Sequence, residues 1–290
     1  MINAAIKHKN NVLTTLFKDP EQLIRLYNAL TNSNLPPDTP IEVVTLENVL
    51  YSGWHNDIAF IVDSRLVILV EHQSTINPNM PLRFLVYMAH TYEKLIDSKA
   101  IYKDKLVRIP KPEFIVLYNG VKPFPDEIYL KLSDAFIETQ DLFVKNKFDP
   151  TLELEVRVLN INDGRNTALV KKCEELDGYV QLIGKIRAYQ KGGIELEDAL
   201  TRAVKDCIEE GILVKYLKDH ASEAINMLTQ EFDIEIAKQV WREEALEEGR
   251  EEGREEALFE NAKAMLQKGL SIELIMEITK LSRGQIEALM

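Results

Sequence analysis

Asn-Asp-Ile-Ala-Phe-Ile-Val-Asp (56–63) and Leu-Val-Ile-Leu-Val-Glu-His-Gln (66–73), joined by Ser64 and Arg65, decide the reading of this chain. Both runs are apolar and β-branched, and a two-residue connection between such runs predicts a hairpin. Side chains alternate across a strand, so an unbroken second strand would point Glu71 and Gln73 to the same side. Asp57 then falls near the open end of the neighbouring strand, within reach of Glu71. Two carboxylates converging at strand ends form the kind of oxygen-rich donor set that a hard divalent cation takes.

Outward from the hairpin, residues 11–31 have helical spacing (Leu13, Leu16, Leu23, Leu26, Leu30), with a restart at Asp19-Pro20-Glu21. Asn32 to Pro40 is rich in turn formers, and Ile41 to Leu50 reads as a first strand. After Asn77-Pro78-Asn79, Met80 to Ile96 is a long helix. Phe114 to Tyr118 is a buried strand stopped by Asn119-Gly120, the stretch after Pro123 is loop-rich, and Leu152 to Asn160 is a further strand. The order α-β-β-β-α-β predicts an α/β (α+β) fold, a mixed sheet flanked by helices. From 165 onward the pattern is helical. It divides into a domain at 1–164, a helical region at 165–242, a charged helical linker at 243–260 and a small helix-turn-helix-like element at 261–290. In the last of these, Gly269 ends one helix, Ser271 caps the next and Ser282-Arg283-Gly284-Gln285 is a capping box.

The spacing Asp57-x13-Glu71-x-Gln73 resembles a variant of the PD-(D/E)xK nuclease signature. More narrowly, the chain is similar to the recombination-promoting nuclease and putative transposase family of bacteria. The likeness rests on Leu16-Phe17-Lys18, Asn56-Asp57, Val70-Glu71-His72-Gln73-Ser74, Arg83 to Tyr87 and Val116-Leu117-Tyr118-Asn119-Gly120. It continues in Cys207 to Leu213 and the Glu/Gly/Arg-rich run at 243–256, so it covers nearly the whole chain. The resemblance implies a restriction-endonuclease-like core, with Asp57 and Glu71 holding Mg2+ (or Mn2+) beside the backbone carbonyl of His72. Gln73 would position the attacking water, and DNA would be hydrolysed in recombination or mobile-element spread. Many members carry Lys where this chain has Gln73, which can orient a water but brings no positive charge. The alternative is a weak or inactive nuclease-fold protein acting in DNA binding or self-assembly.

The net charge of −12 argues against nucleic acid only until its distribution is considered. Residues 231–260 hold twelve acidic and four basic side chains, whereas 1–150 hold sixteen basic and eighteen acidic. Lys94, Lys99, Lys103, Lys105, Arg108 and Lys111 oppose only Asp97 and Asp104 and form a basic ridge suited to phosphate. On the helix from Met80, Arg83, Tyr87, His90 and Lys94 fall on one stripe, which makes Arg83, Tyr87 and Lys94 candidate nucleic-acid contacts. Leu82, Leu85, Val86, Ala89 and Ile96 are left for apolar packing. Met1 to Lys9 has no signal-peptide pattern, no run is long enough for a membrane span, and two cysteines lack metal-ligand spacing. A cytoplasmic chain is expected. A homo-oligomer would suit the cutting of both strands.

Overall fold

The computed structural model describes residues 11–43, 57–73, 77–137 and 150–288, with side chains outside the description at 57, 66–73, 234–249, 251–256, 283 and 287. Compact units comprise residues 1–231 and 232–290.

The first unit is built on a six-stranded mixed sheet, in the order β1-β2-β3-β4-β6-β5. Its strands are β1 (Ile41–Val43), β2 (Asp57–Val62), β3 (Arg65–Gln73), β4 (Lys111–Tyr118), β5 (Glu127–Lys131) and β6 (Glu155–Asn160). The hairpin forms as its sequence predicts, one residue earlier: Val62 pairs with Arg65, leaving Asp63 and Ser64 as the turn. Both have positive φ, +47° and +60°, the backbone that a two-residue hairpin loop needs to match strand twist. Aspartate tolerates that region through local hydrogen bonding. β3, β4 and β6 run parallel, while β1 and β2 on one side and β5 on the other are antiparallel to their neighbours.

Helix α3 (Met80–Leu95) links β3 to β4, as parallel strands require a crossover. Its buried residues Met80, Phe84, Tyr87 and Thr91 fall at helical spacing, and the first three pack against Ala59, Phe114, Val116, Tyr118, Val156 and Val158. Of the residues expected to pack, Leu82, Val86 and Ala89 are exposed, whereas Leu85 is half-buried against the core and Ile96 is half-buried. The larger rings of Phe84 and Tyr87 remove more apolar surface from water, so they take the core side. On the opposite sheet face, Tyr27 of α2 (Pro20–Thr31) meets Phe60 edge to face at 6.3 Å. α1 (Val12–Leu16) contacts α5 (Glu174–Lys191). The sheet is thus covered on both faces.

The edge strand β5 lies in the stretch that reads as loop. Its Glu-Ile-Tyr-Leu-Lys sequence is short, and pairing with β6 stabilises it. α4 (Thr167–Val170), α5 and α6 (Leu196–Glu209) follow, then α7 (Val214–Gln267), kinked at His220. Gly178 of α5 lies so close to Leu213 that a Cβ there would sit 2.6 Å from its Cγ. In the second unit Ala262, Ile275 and Ile286 form a small core. The caps are as expected: Gly269 has φ +78°, the Ser271 hydroxyl accepts from Leu274 N, opening α8 (Ile272–Thr279), and Ser282 with Gln285 forms a capping box on α9 (Arg283–Glu287).

Candidate active site at the carboxyl end of the parallel strands

Asp57 begins β2 and pairs with Val70, so its backbone lies beside the position immediately before Glu71. Between Val70 and Gln73, β3 advances three residues while its partner β4 advances two, from Val116 to Tyr118. The extra residue is a bulge centred on Glu71-His72. Bulges twist and bend a strand and re-aim the side chains they carry, and they recur next to active sites. The expectation that Glu71 and Gln73 share a face rests on unbroken alternation, and the bulge interrupts it. The side chains of Asp57, Glu71, His72 and Gln73 themselves lie outside the described residues. Among the described residues no group of three or more His, Cys, Asp or Glu is placed to hold a metal ion.

Gln73 ends β3 in register with Tyr118, the last residue of β4, and Tyr118 is in register with Asn160, the last residue of β6. Three parallel strands therefore finish at one edge, the usual place for a ligand in an open sheet. Polar side chains that sequence reasoning missed are gathered there. Arg187 of α5 donates from Nη1 to Asn119 Oδ1 at 2.9 Å and to Asn162 Oδ1 at 2.8 Å, and from Nη2 to the Asn119 carbonyl. Asn162 Nδ2 donates to Asn160 Oδ1 and to the Gly120 carbonyl, each at 2.9 Å. Asn160 Nδ2 donates to the Phe124 carbonyl at 2.9 Å, and Tyr118 Oη to the Lys122 carbonyl. Asn119 and Asn160 are each only 2% exposed. Asn119 Nδ2 is buried with no hydrogen-bond partner among the described residues, an omission that costs about 1–3 kcal/mol. The available signal was the position of these asparagines, directly after apolar strands, together with an arginine on a helix of otherwise ordinary pattern.

The candidate nucleic-acid contacts do not share one environment. Arg83 sits in the first turn of α3 and is half-buried. Tyr87 is 3% exposed inside the core, its ring edge-to-face with Phe84 at 6.3 Å, so it is no part of a solvent-facing stripe. His90 Nδ1 is 3.5 Å from Glu93 Oε2. Lys94 is exposed in the last turn, eleven residues beyond Arg83 and so roughly 16 Å further along the axis. The basic ridge continues from there to Lys111, where β4 begins. Lys111 is in register with Arg65, at the start of β3. The ridge thus lies at the opposite end of the sheet from Glu71-His72-Gln73, about 25 Å away along β3.

That opposite end has its own polar group. Arg65 Nη1 donates to Tyr27 Oη at 2.8 Å and to Glu113 Oε1 at 3.3 Å. The phenol of Tyr27 is pushed up by burial, against the lowering effect of the Arg65 hydrogen bond. Glu21, a possible extra ligand on α2, pairs with Arg25 at 2.7 Å, and Arg25 also holds Glu175. Burial raises the Glu175 carboxyl, but the hydrogen bond from Arg25 and its neighbours outweigh that and the net shift is downward. Cys173 and Cys207 are buried, and burial pushes their thiols up to about 12 and about 11, which leaves them protonated and unreactive at neutral pH.

Among the described residues no helix is long and apolar enough to cross a membrane. Comparison with protein-family models, with curated proteins and with solved structures gives no match.

Proposed function

We propose that this chain is a Mg2+-dependent DNA endonuclease with a restriction-endonuclease-like core, a cytoplasmic enzyme of the recombination-promoting nuclease type. The observation that carries the reading is the backbone register at the carboxyl end of β3. Asp57 is paired one residue before Glu71, and the strand bulges at Glu71-His72 beside the ends of β4 and β6. Asp57 and Glu71 offer oxygen donors from adjacent strands, and the His72 carbonyl, released from regular pairing by a bulge, is a third. This donor chemistry fits Mg2+ or Mn2+, both of which favour carboxylate and carbonyl oxygen. When bound, the ion would lower the pKa of a water and offset charge on a scissile phosphate.

The remaining work falls to the chain's own side chains. Gln73 orients the attacking water by hydrogen bonding, without the cationic help that a lysine would add. Arg83, in the turn of α3 that follows the motif strand, supplies positive charge for the phosphate. Neutral Gln73 also favours a second reading, a DNA-binding protein of low catalytic power that acts through self-association.

Supercoiled plasmid separates the two. The nuclease reading expects nicking by purified protein with Mg2+ or Mn2+, arrest by chelator, and loss of nicking in Asp57→Ala and Glu71→Ala. DNA binding without nicking under every divalent ion tried supports the second reading and sinks the first.

A further inference from the structure

The connector from α3 to β4 carries features that its charge alone does not explain. Lys99, Lys103, Lys105, Arg108 and Lys111 are exposed, and their side chains make no hydrogen bond or ion pair among the described residues. Asp97, the carboxylate nearest Lys99 in the chain, accepts from that residue's backbone N–H at 3.0 Å. Between these cations stand large apolar side chains left in solvent: Tyr102 is 86% exposed, Leu106 77% and Ile101 57%. The segment is nonetheless tied at both ends. Tyr92 of α3 donates to the Pro110 carbonyl, and Lys111 N donates to the Ser64 carbonyl. Lys103 N closes a 3-10 turn over Ala100–Tyr102, so Tyr102 is displayed at the end of a hydrogen-bonded turn.

Cations and apolar side chains alternate along the connector at steps of one to three residues, from Lys99 through Tyr102-Lys103, Lys105-Leu106 and Arg108-Ile109 to Lys111. A bilayer surface asks for the reverse, charge on one face and apolar surface on the other, and a three-residue turn cannot separate them. A duplex offers phosphates but keeps the faces of its bases stacked on one another. A single strand offers both partners in alternation, a phosphate and a free base face at each nucleotide.

We infer that the connector from Lys99 to Lys111 is a single-strand nucleic-acid surface, on which Tyr102 stacks against an unpaired base while the flanking lysines and Arg108 meet the phosphates. This goes beyond the nuclease reading. The surface lies at the amino end of the parallel strands, about 25 Å along β3 from Glu71, and needs no metal ion. It holds the strand and leaves the scissile bond to other residues.

Fluorescence anisotropy of a short labelled oligo-thymidine, with the full-length protein in chelator, reads this surface without turnover. Saturable binding is expected, weaker for a duplex of the same length. The log–log dependence of affinity on salt should have a slope of about −3, from roughly 0.7 per phosphate contact. Tyr102→Ala raises Kd about tenfold, and Tyr102→Phe keeps it within about twofold, because stacking uses the ring and not the hydroxyl. Lys103→Ala combined with Lys105→Ala flattens the slope by about 1.4. All three side chains are exposed, so the melting temperatures hold and lost binding is not lost folding. Tighter binding of the duplex, or an oligo-thymidine affinity that Tyr102→Ala leaves unchanged, overturns the inference. Capture of phosphatidylserine vesicles in place of the oligonucleotide, lost in Tyr102→Ala, assigns the surface to a membrane and overturns it too. A wild type that nicks plasmid but does not bind oligo-thymidine overturns the inference with the nuclease reading intact. Tyr102-dependent binding by a protein that nicks nothing upholds the inference and removes the nuclease reading.

Discussion

The two ends of the parallel strands carry opposite kinds of polar chemistry. At the carboxyl end, β3 bulges at Glu71-His72 and the asparagine cluster around Arg187 holds the ends of β4 and β6 together. At the amino end, Arg65, Tyr27 and Glu113 satisfy one another, and a basic, exposed connector leads into β4. The first end keeps an irregular strand and an unfilled donor, both of which cost stability. The second is saturated and regular. The register shift and an unmet donor lie at the end where a ligand would be held, while the exposed charge lies at the other, so charge alone is a poor guide to the site.

The contrast is broken most sharply by a matched pair of carboxylate substitutions on neighbouring strands. Glu71→Ala is expected to reduce plasmid nicking by roughly a thousandfold or more, about 4 kcal/mol of transition-state stabilisation. Glu113→Ala, at the other end, should leave nicking within about threefold of wild type, since surface-type pairs contribute under about 1 kcal/mol. Equal losses in the two variants would erase the distinction between the ends.

Helix α3 samples both ends at once. Arg83→Ala should lower cleavage about tenfold, while Lys94→Ala, roughly 16 Å along the same helix, should leave kcat unchanged and only flatten the salt dependence of binding. A larger catalytic loss from Lys94→Ala would move the working surface to the basic connector.

The smaller effects concern stability. Arg65→Ala removes donors from Tyr27 and Glu113 and is expected to cost about 1 kcal/mol in urea unfolding without changing nicking, because Arg65 is half exposed. Glu127→Gln should cost less still. Its carboxyl is held below the usual range by the hydrogen bond from Arg157, 3.0 Å away on β6. A depressed carboxyl stabilises the fold above its unfolded pKa, and that contribution is lost as pH falls through the lower folded value. The melting difference between wild type and Glu127→Gln should therefore be present at neutral pH and vanish on acidification below about pH 4. A difference that grows in acid would show the wrong sign.

The hairpin was legible because two β-branched runs flank a two-residue turn, and helix α3 and the terminal caps because their spacing is local. β5 was not, since five residues of an edge strand depend on β6 for their conformation. The buried face of α3 was read only in part, with Leu85 on the core but Leu82, Val86 and Ala89 exposed, for a related reason. Both faces carry apolar residues, and only the competition between Phe84-Tyr87 and Leu82-Val86 for the sheet decides. Tyr87 moved from candidate contact to core through that competition. The motif at Asp57 and Glu71 is visible in sequence, whereas the bulge is a property of pairing with β4, and Arg187 reaches Asn119 across sixty-eight positions of chain. Contacts of that range leave no periodic trace.

The central claim is that Asp57 and Glu71 meet at the bulged end of β3 to hold one divalent ion. Titrating Mn2+ into the full-length protein, with free ion followed by electron paramagnetic resonance, tests it without requiring turnover. One site per chain in wild type, lost in both Asp57→Ala and Glu71→Ala and retained in Glu113→Ala, is the predicted result. Mn2+ uptake that is absent from wild type, or unaltered by both substitutions, would contradict it.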